Sequence, residues 1–436
     1  MWVRWWTSLS APSRPEAGLA AAADPGLPAL APFRTRSFRY QWPADLGTAW
    51  ALEMETLILG WYVLVESGSV VLLTLFGALM YGGTLLSPLL GTLGDRLGLR
   101  RVLASMRLGY ALLAAVILWL SATGRLQPGL VLGVAFLAGL IKPTDIGLRT
   151  ALVSASVPPA HLVAAMGISR TTQDSARIGG ALAGAGFMAS LGMVSAYVAI
   201  TVLYLMGALL TMRSGGAAVR PAPSAAGMAS PWRDLKDGLQ HVWRTPSLRA
   251  AMLLAALVNL CAFPLSGGLM PYIARDVFGL GQQGLGWLVA SFAGGALGGS
   301  VAISTFGARL RPARIMLLTC ALWFLCLLGL ALPVSVPLAM ALFVGAGLNQ
   351  SLSMVCLSII LLRTSDERFR GRVMGARMLA IYTLPLGLLA AGALIPVIGF
   401  ARLVLAYGVL GLLLTAAIAW HWRQPLLAQD APANQR

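Results

Sequence analysis

Glu53 and Glu55 stand two residues apart in an apolar run, and Lys142, Asp145 and Arg149 stand in another, beside Pro143. Carboxylates and amines among hydrocarbon side chains are costly to keep charged, so they take up protons, pair with one another or meet a ligand. The two glutamates lie eight and ten residues beyond Asp45, about 12–15 Å along a helix that rises about 1.5 Å per residue. At about 100° per residue they point about 200° apart and cannot share a face. One is therefore expected to face a cavity and the other a neighbouring helix. Glu55 is favoured for the cavity, because it shares its stripe with Tyr62 and Glu66.

Lys142, Asp145 and Arg149, at spacings of three and four, fall on one helix face, and Pro143 loosens the backbone beside them. Two readings fit. The charges neutralise one another as a structural network, or protonating the carboxylate frees a base to bind an anionic substrate. Glu53, Glu55 and Asp145 are the proton-coupling candidates. Asp174 and Arg177 are expected to pair at i,i+3, a structural contact. Tyr62, Lys142, Arg149, Asn259, Asn349 and Gln350 are the candidates to line a substrate cavity, the three amides serving a second half nearly free of charge. Catalysis has no support. His161, His241 and His421 are isolated, and Cys261, Cys320, Cys326 and Cys356 match no metal spacing. There is no Walker-type phosphate loop, so neither a cofactor nor ATP is expected.

Composition dictates the elements that carry these residues. Of 436 residues, 58% are hydrophobic and 11% charged, against about 25% charged in a soluble domain. Water-soluble packing cannot hide so much apolar surface, so the chain reads as an all-α integral membrane protein. The 49 glycines and 24 prolines suit membrane helices. A net charge of +17 would suggest nucleic acid in a soluble protein. Here no basic patch is interleaved with aromatics in a polar setting, so nucleic acid is not an expected partner and the bilayer is.

Twelve apolar segments of the length a bilayer demands are expected at 45–65, 70–91, 102–121, 129–153, 173–191, 193–212, 248–273, 284–306, 313–333, 337–362, 372–396 and 400–422. Residues 1–40 read as a disordered cytoplasmic extension, and not as a cleaved signal. The break at 213–247 begins as a Gly/Ala/Pro/Ser linker. It then turns amphipathic, with Trp232, Leu235, Leu239 and Trp243 at helical spacing opposite Arg233, Lys236 and Asp237, which suits a helix in the membrane interface. It separates a six-helix bundle at 41–212 from another at 248–423, and 424–436 forms a tail. Starting inside, 26 of the 32 Lys and Arg residues fall on inner segments, among them Arg96, Arg100, Arg101 and Arg107. Only Arg125, Arg275 and Arg402 fall outside. The positive-inside rule then puts both termini in the cytoplasm.

The halves also repeat. "GDRLGLRRVL" at 94–103 aligns with "GARLRPARIM" at 307–316, and more faintly "VAAMGISR" at 163–170 with "GRVMGARM" at 371–378. The 91–101 loop places Asp95 and Arg96 between Gly91, Gly94 and Gly98, followed by Arg100 and Arg101. Such a loop can make charge-assisted hydrogen bonds to helix ends and acidic groups, a lock that releases as the halves rock. Its charges otherwise serve only to keep the loop inside.

Twelve spans, a six-plus-six repeat and this loop resemble the major facilitator superfamily, whose loop between helices two and three carries G-x-L-a-D-r-x-G-r-k. Gly91, Leu93, Gly94, Asp95, Arg96, Gly98 and Arg100 match it, and Leu99 departs from it. Within the family, 157–187, 232–254 and 368–394 look most like the enterobactin-exporter-like branch, also called transmembrane secretion effectors. The helix-five glycine motif of antiporters survives as Ala176, Arg177, Gly179, Gly180 and Gly184, with Gly180 where the branch has proline. The resemblance implies a two-bundle fold of twelve helices in a bacterial inner membrane. It implies proton-coupled export of a small organic molecule by alternating access, acting as a monomer. Uptake or facilitated diffusion of a metabolite, or a non-transporting sensor or scaffold, are the alternatives.

Overall fold

The computed structural model describes residues 28–85, 98–158, 161–214, 231–306, 311–365 and 370–430. Among them, ten helices are long and apolar enough to cross a membrane. The first, α1, runs Arg36–Ser67, nine residues before the expected start. It stops at Gly68, whose φ of 62° is a left-handed conformation that a side chain would resist. The Ser69 hydroxyl then caps α2 (Val70–Leu79) by accepting from the Leu72 N–H at 3.3 Å. A 3₁₀ turn, Gly82–Leu85, extends α2. Next come α3 (Leu99–Ala122) and α4 (Pro128–Ser156), the latter opened by a proline where no N–H partner is needed.

Helix Leu162–Arg213 runs on with one break, at Gly192 (φ 76°, ψ 179°). That residue divides it into α5 (162–191) and α6 (193–213), the same place at which the apolar pattern predicts a turn. The fifth span thus starts eleven residues before its expected position, since 163–170 is helix and not loop. The aligned segment 371–378 is likewise helical, in the first turns of the equivalent helix of the second half.

An amphipathic helix α7 (Pro231–Arg244) precedes the second half. The seventh span, α8 (246–277), is irregular. After a regular start at Pro246–Leu257 it makes π turns at Val258–Ala262, Pro264–Gly268 and Ile273–Val277, around Pro264 and Pro271. Helices α9 (Gln282–Phe306), α10 (Pro312–Leu328, with a 3₁₀ turn to Ala331) and α11 (Val336–Thr364) follow. The last two are α12 (370–398, interrupted at Tyr382) and α13 (Phe400–His421). With Gly192 dividing one long helix and α2 shorter than a full span, the order is that of twelve membrane helices in two sets of six.

The halves meet along α1 with α8, α2 with α12, and α5 with α9. At the end where α1 stops, the Arg275 guanidinium of α8 donates to the Leu64 carbonyl at 2.8 Å. A cation thereby sits on the negative end of the α1 dipole. Large apolar side chains such as Leu112, Leu209, Leu413 and Val397 remain exposed, as the outside of a lipid-solvated bundle requires.

Candidate functional site

The buried charge lies inside the first half. Asp45 of α1 accepts from Gln41 Nε2 at 2.7 Å, one helical turn before it, and from the Arg107 guanidinium of α3. Arg107 is completely buried and also donates to the Thr211 hydroxyl of α6. Its Nε lies 3.9 Å from Asp145 Oδ1 of α4. Three helices therefore hand one guanidinium two carboxylates and a hydroxyl. Arg149, also buried, lies within electrostatic reach of Asp45. Arg107 thus leaves the set of inner-loop cations: it sits eight residues into α3, between helices.

A second polar group lies farther along α1. Glu55 is 4% exposed and accepts a 2.7 Å hydrogen bond from the Tyr204 hydroxyl of α6. The Tyr204 ring stacks on Tyr110 of α3, with centroids 5.4 Å apart. Tyr197, one heptad before Tyr204, is buried close enough for the Glu55 charge to act on it. The cation that acts on Glu55 is Lys142, half-buried on α4, whose ammonium sits 5.6 Å from the centre of the Tyr81 ring.

The two glutamates lie on different faces. Glu55 faces a neighbouring helix. Glu53 is the more open, its side chain 38% exposed and 3.9 Å from Arg177 Nε of α5, itself 42% exposed. The reason lies in the glycines of α5. A Cβ on Gly180 would stand 2.9 Å from Glu53 Cβ and 3.1 Å from the Trp50 carbonyl oxygen, and one on Gly184 would stand 3.0 Å from Met54 Cα. Without side chains there, α1 presses onto α5 and leaves Glu53 beside Arg177. Gly180, the departure from the antiporter motif, is one of these contact points.

Asp174 does not pair with Arg177. Arg177 turns toward α1, and Asp174, nearly buried, meets Arg170 one turn earlier at 3.3 Å. It also accepts from the Ser300 hydroxyl of α9 at 3.4 Å, and Ser300 in turn shares a 2.9 Å hydrogen bond with Ser351 of α11. This is a polar link between the halves.

The Lys142, Asp145 and Arg149 triad does not close on itself. Asp145 turns to Arg107, and Lys142 lies over Tyr81. Tyr62 donates to the Leu126 carbonyl at 2.9 Å and so ties down the turn after α3. Asn259 and Asn349 donate to the carbonyls of Ala255 and Gly345, each at 2.8 Å and one turn back, and Gln350 is buried. In the 91–101 loop, Gly91, Asp95 and Arg96 lie outside the described residues. Gly98 precedes α3 with φ 90°, Arg101 is exposed, and Arg100 donates to the Ser214 carbonyl at the end of α6 at 3.1 Å. That is a charge-assisted bond to a helix end, within one half.

Sequence reasoning passed over Arg107, Tyr110, Tyr197, Tyr204 and Thr211. A signal was present on α6, where Tyr197, Tyr204 and Thr211 recur every seven residues and mark one polar stripe on an otherwise apolar helix.

Residues 48–385 match the Major Facilitator Superfamily. Comparison with curated protein sequences gives no match. Among solved structures, the nucleoside transporter NupG superposes with a TM-score of 0.67 at 15% identity, over 89% of this chain and 99% of that one. A D-xylose-proton symporter does so at 0.66 and 12%, over 87% and 96%. The human organic anion transporter MFSD10 (TETRAN) gives 0.60 and 18%, over 88% and 99%. At such identities the likeness is one of fold. With a match that begins within α1 and ends within α12, and a fold that such transporters share, the chain belongs to the Major Facilitator Superfamily.

Proposed function

We propose that the protein is a proton-coupled secondary transporter that exports a small organic molecule across a bacterial inner membrane, with both termini cytoplasmic. The bundles at 41–212 and 248–423 rock against each other as a monomer, joined through the 213–247 linker. One observation carries the proton coupling. Among the described residues, Glu55 is buried with a neutral hydroxyl, that of Tyr204, as its hydrogen-bond donor, while Lys142 acts on it through space. A carboxyl so held can exist with or without its proton. Asp145 lies 3.9 Å from the Arg107 guanidinium and is the second candidate. Arg177, beside Glu53, is open enough to exchange its carboxylate partner for an anionic or zwitterionic solute. Export, and a siderophore-like or drug-like substrate, rest on the resemblance of 157–187, 232–254 and 368–394. Fold likeness to a D-xylose-proton symporter supports the second reading, proton-linked uptake.

The test is flux in proteoliposomes under an imposed pH gradient, with a panel of organic dyes and catechol chelators. The wild type is expected to move at least one solute up its gradient, and Glu55→Gln to leave only downhill flux. Gradient-driven flux that survives neutralisation of Glu53, Glu55 and Asp145 in turn removes proton coupling from the reading.

A further inference from the structure

At the far end of the second half from Arg275, α7 lies against the first turns of α12. Gly238 is buried there, and a Cβ on it would stand 2.6 Å from the Arg372 carbonyl oxygen, so the two backbones touch. Asp237 pairs with Arg372 at 3.7 Å, and Val242 is fully buried on the same side. Another side of α7 is exposed among the described residues. Leu239 is 40% exposed and Trp243 is 57% exposed; four residues apart, they form one stripe. Lys236 and Arg244, both exposed, flank it.

The neighbouring side chains fix the level of this stripe. Five residues beyond Arg244, the Arg249 guanidinium of α8 lies 5.3 Å from the Trp422 ring centre. Trp420, 75% exposed, carries Arg423 at 5.1 Å. Tryptophans and basic side chains gather where acyl chains give way to headgroups. The exposed face of α7 therefore lies at the membrane surface, apolar toward the chains and cationic toward the phosphates.

We propose that α7 is a docking surface for anionic phospholipid, with Leu239 and Trp243 in the acyl boundary and Lys236 and Arg244 on headgroup phosphates. Through Gly238 and Asp237 the bound lipid holds the start of α12 at the surface. This stands whether or not the protein couples transport to protons, since none of these residues belongs to the buried charge cluster.

The full chain with Gln240→Cys, labelled with a fluorophore, is reconstituted in phosphatidylcholine alone or mixed with phosphatidylglycerol, with nitroxide-bearing lipid as quencher. An unlabelled-site control accounts for the native cysteines. Two basic residues at the surface are expected to shift the docked-to-free ratio by about 30-fold. Quenching should rise with phosphatidylglycerol, fall with salt, and fall in both Lys236→Gln/Arg244→Gln and Lys236→Glu/Arg244→Glu. Equal quenching in the two lipids, or quenching indifferent to both double variants, overturns the proposal. So does a lipid-independent cross-link between two copies through Trp243→Cys, which would assign the face to a dimer.

Discussion

The two halves solve the problem of burying polar groups in lipid in opposite ways. Within the membrane helices of the first half, Asp45, Glu55, Arg107, Asp145 and Arg149 are all buried. The described membrane helices of the second half bury amides and hydroxyls and no charged side chain, and its asparagines fold back onto their own helix carbonyls. A self-satisfied amide keeps its partner wherever its helix moves. A guanidinium shared by α1, α3, α4 and α6 is satisfied only while those helices keep their places. The first half is thus held in part by buried electrostatics. The described membrane helices of the second half rest mainly on packing and neutral hydrogen bonds, and they meet the first half along α2–α12, α1–α8 and α5–α9.

The contrast breaks most severely at Arg107. Arg107→Leu strands Asp45 and Asp145, and loss of one partner of a buried pair costs about 3–5 kcal/mol. Thermal unfolding in detergent should show a large loss, with recovery when Asp45→Asn and Asp145→Asn are added. A triple variant no more stable than Arg107→Leu alone would mean that the network is not what holds these helices. Gly180→Leu comes next, because its side chain must enter the Glu53–Trp50 contact. Overpacking of this kind costs about 1–3 kcal/mol. Gly186→Ala, where a Cβ meets nothing within 4 Å, is the control and should leave the melting curve in place.

In the second half, Asn259→Ala or Asn349→Ala removes a bond whose loss costs about 0.6 kcal/mol by membrane-protein averages. A melting shift as large as that of Arg107→Leu would erase the asymmetry. A comparably small stability effect is expected at Glu53–Arg177, about 0.2–1 kcal/mol for a part-exposed pair. Arg177→Gln should change substrate affinity more than melting, and the comparison of the two readouts decides whether the pair serves solute or scaffold.

Much of the fold was legible because bilayer thickness sets segment length. The break at Gly192 fell between 173–191 and 193–212, and the amphipathic pattern at Trp232–Trp243 became α7. The site was less so. Arg107 counted as an inner-loop cation because it stands near the start of its span, and Asp45 served only to measure depth. Their pairing spans 62 residues of sequence, which helical periodicity within one segment cannot see. The glutamates were separated onto different faces by their spacing, but which of them was the more exposed depended on Gly180 and Gly184 of another helix. The Asp174–Arg177 expectation failed for a similar reason: i,i+4 and partners on α1 and α9 competed with i,i+3 and won.

A π turn carries one residue more than the helix around it, so its wide ring can pass along a chain by exchanging a single hydrogen bond at a time. Three such turns follow one another in α8, the last of them carrying Arg275, which donates to the Leu64 carbonyl. Each passage would rotate the side chains it crosses by about 100° without unwinding the rod. The seventh span thereby holds three places at which a wide ring could shift, and Asn259 lies on the first of them.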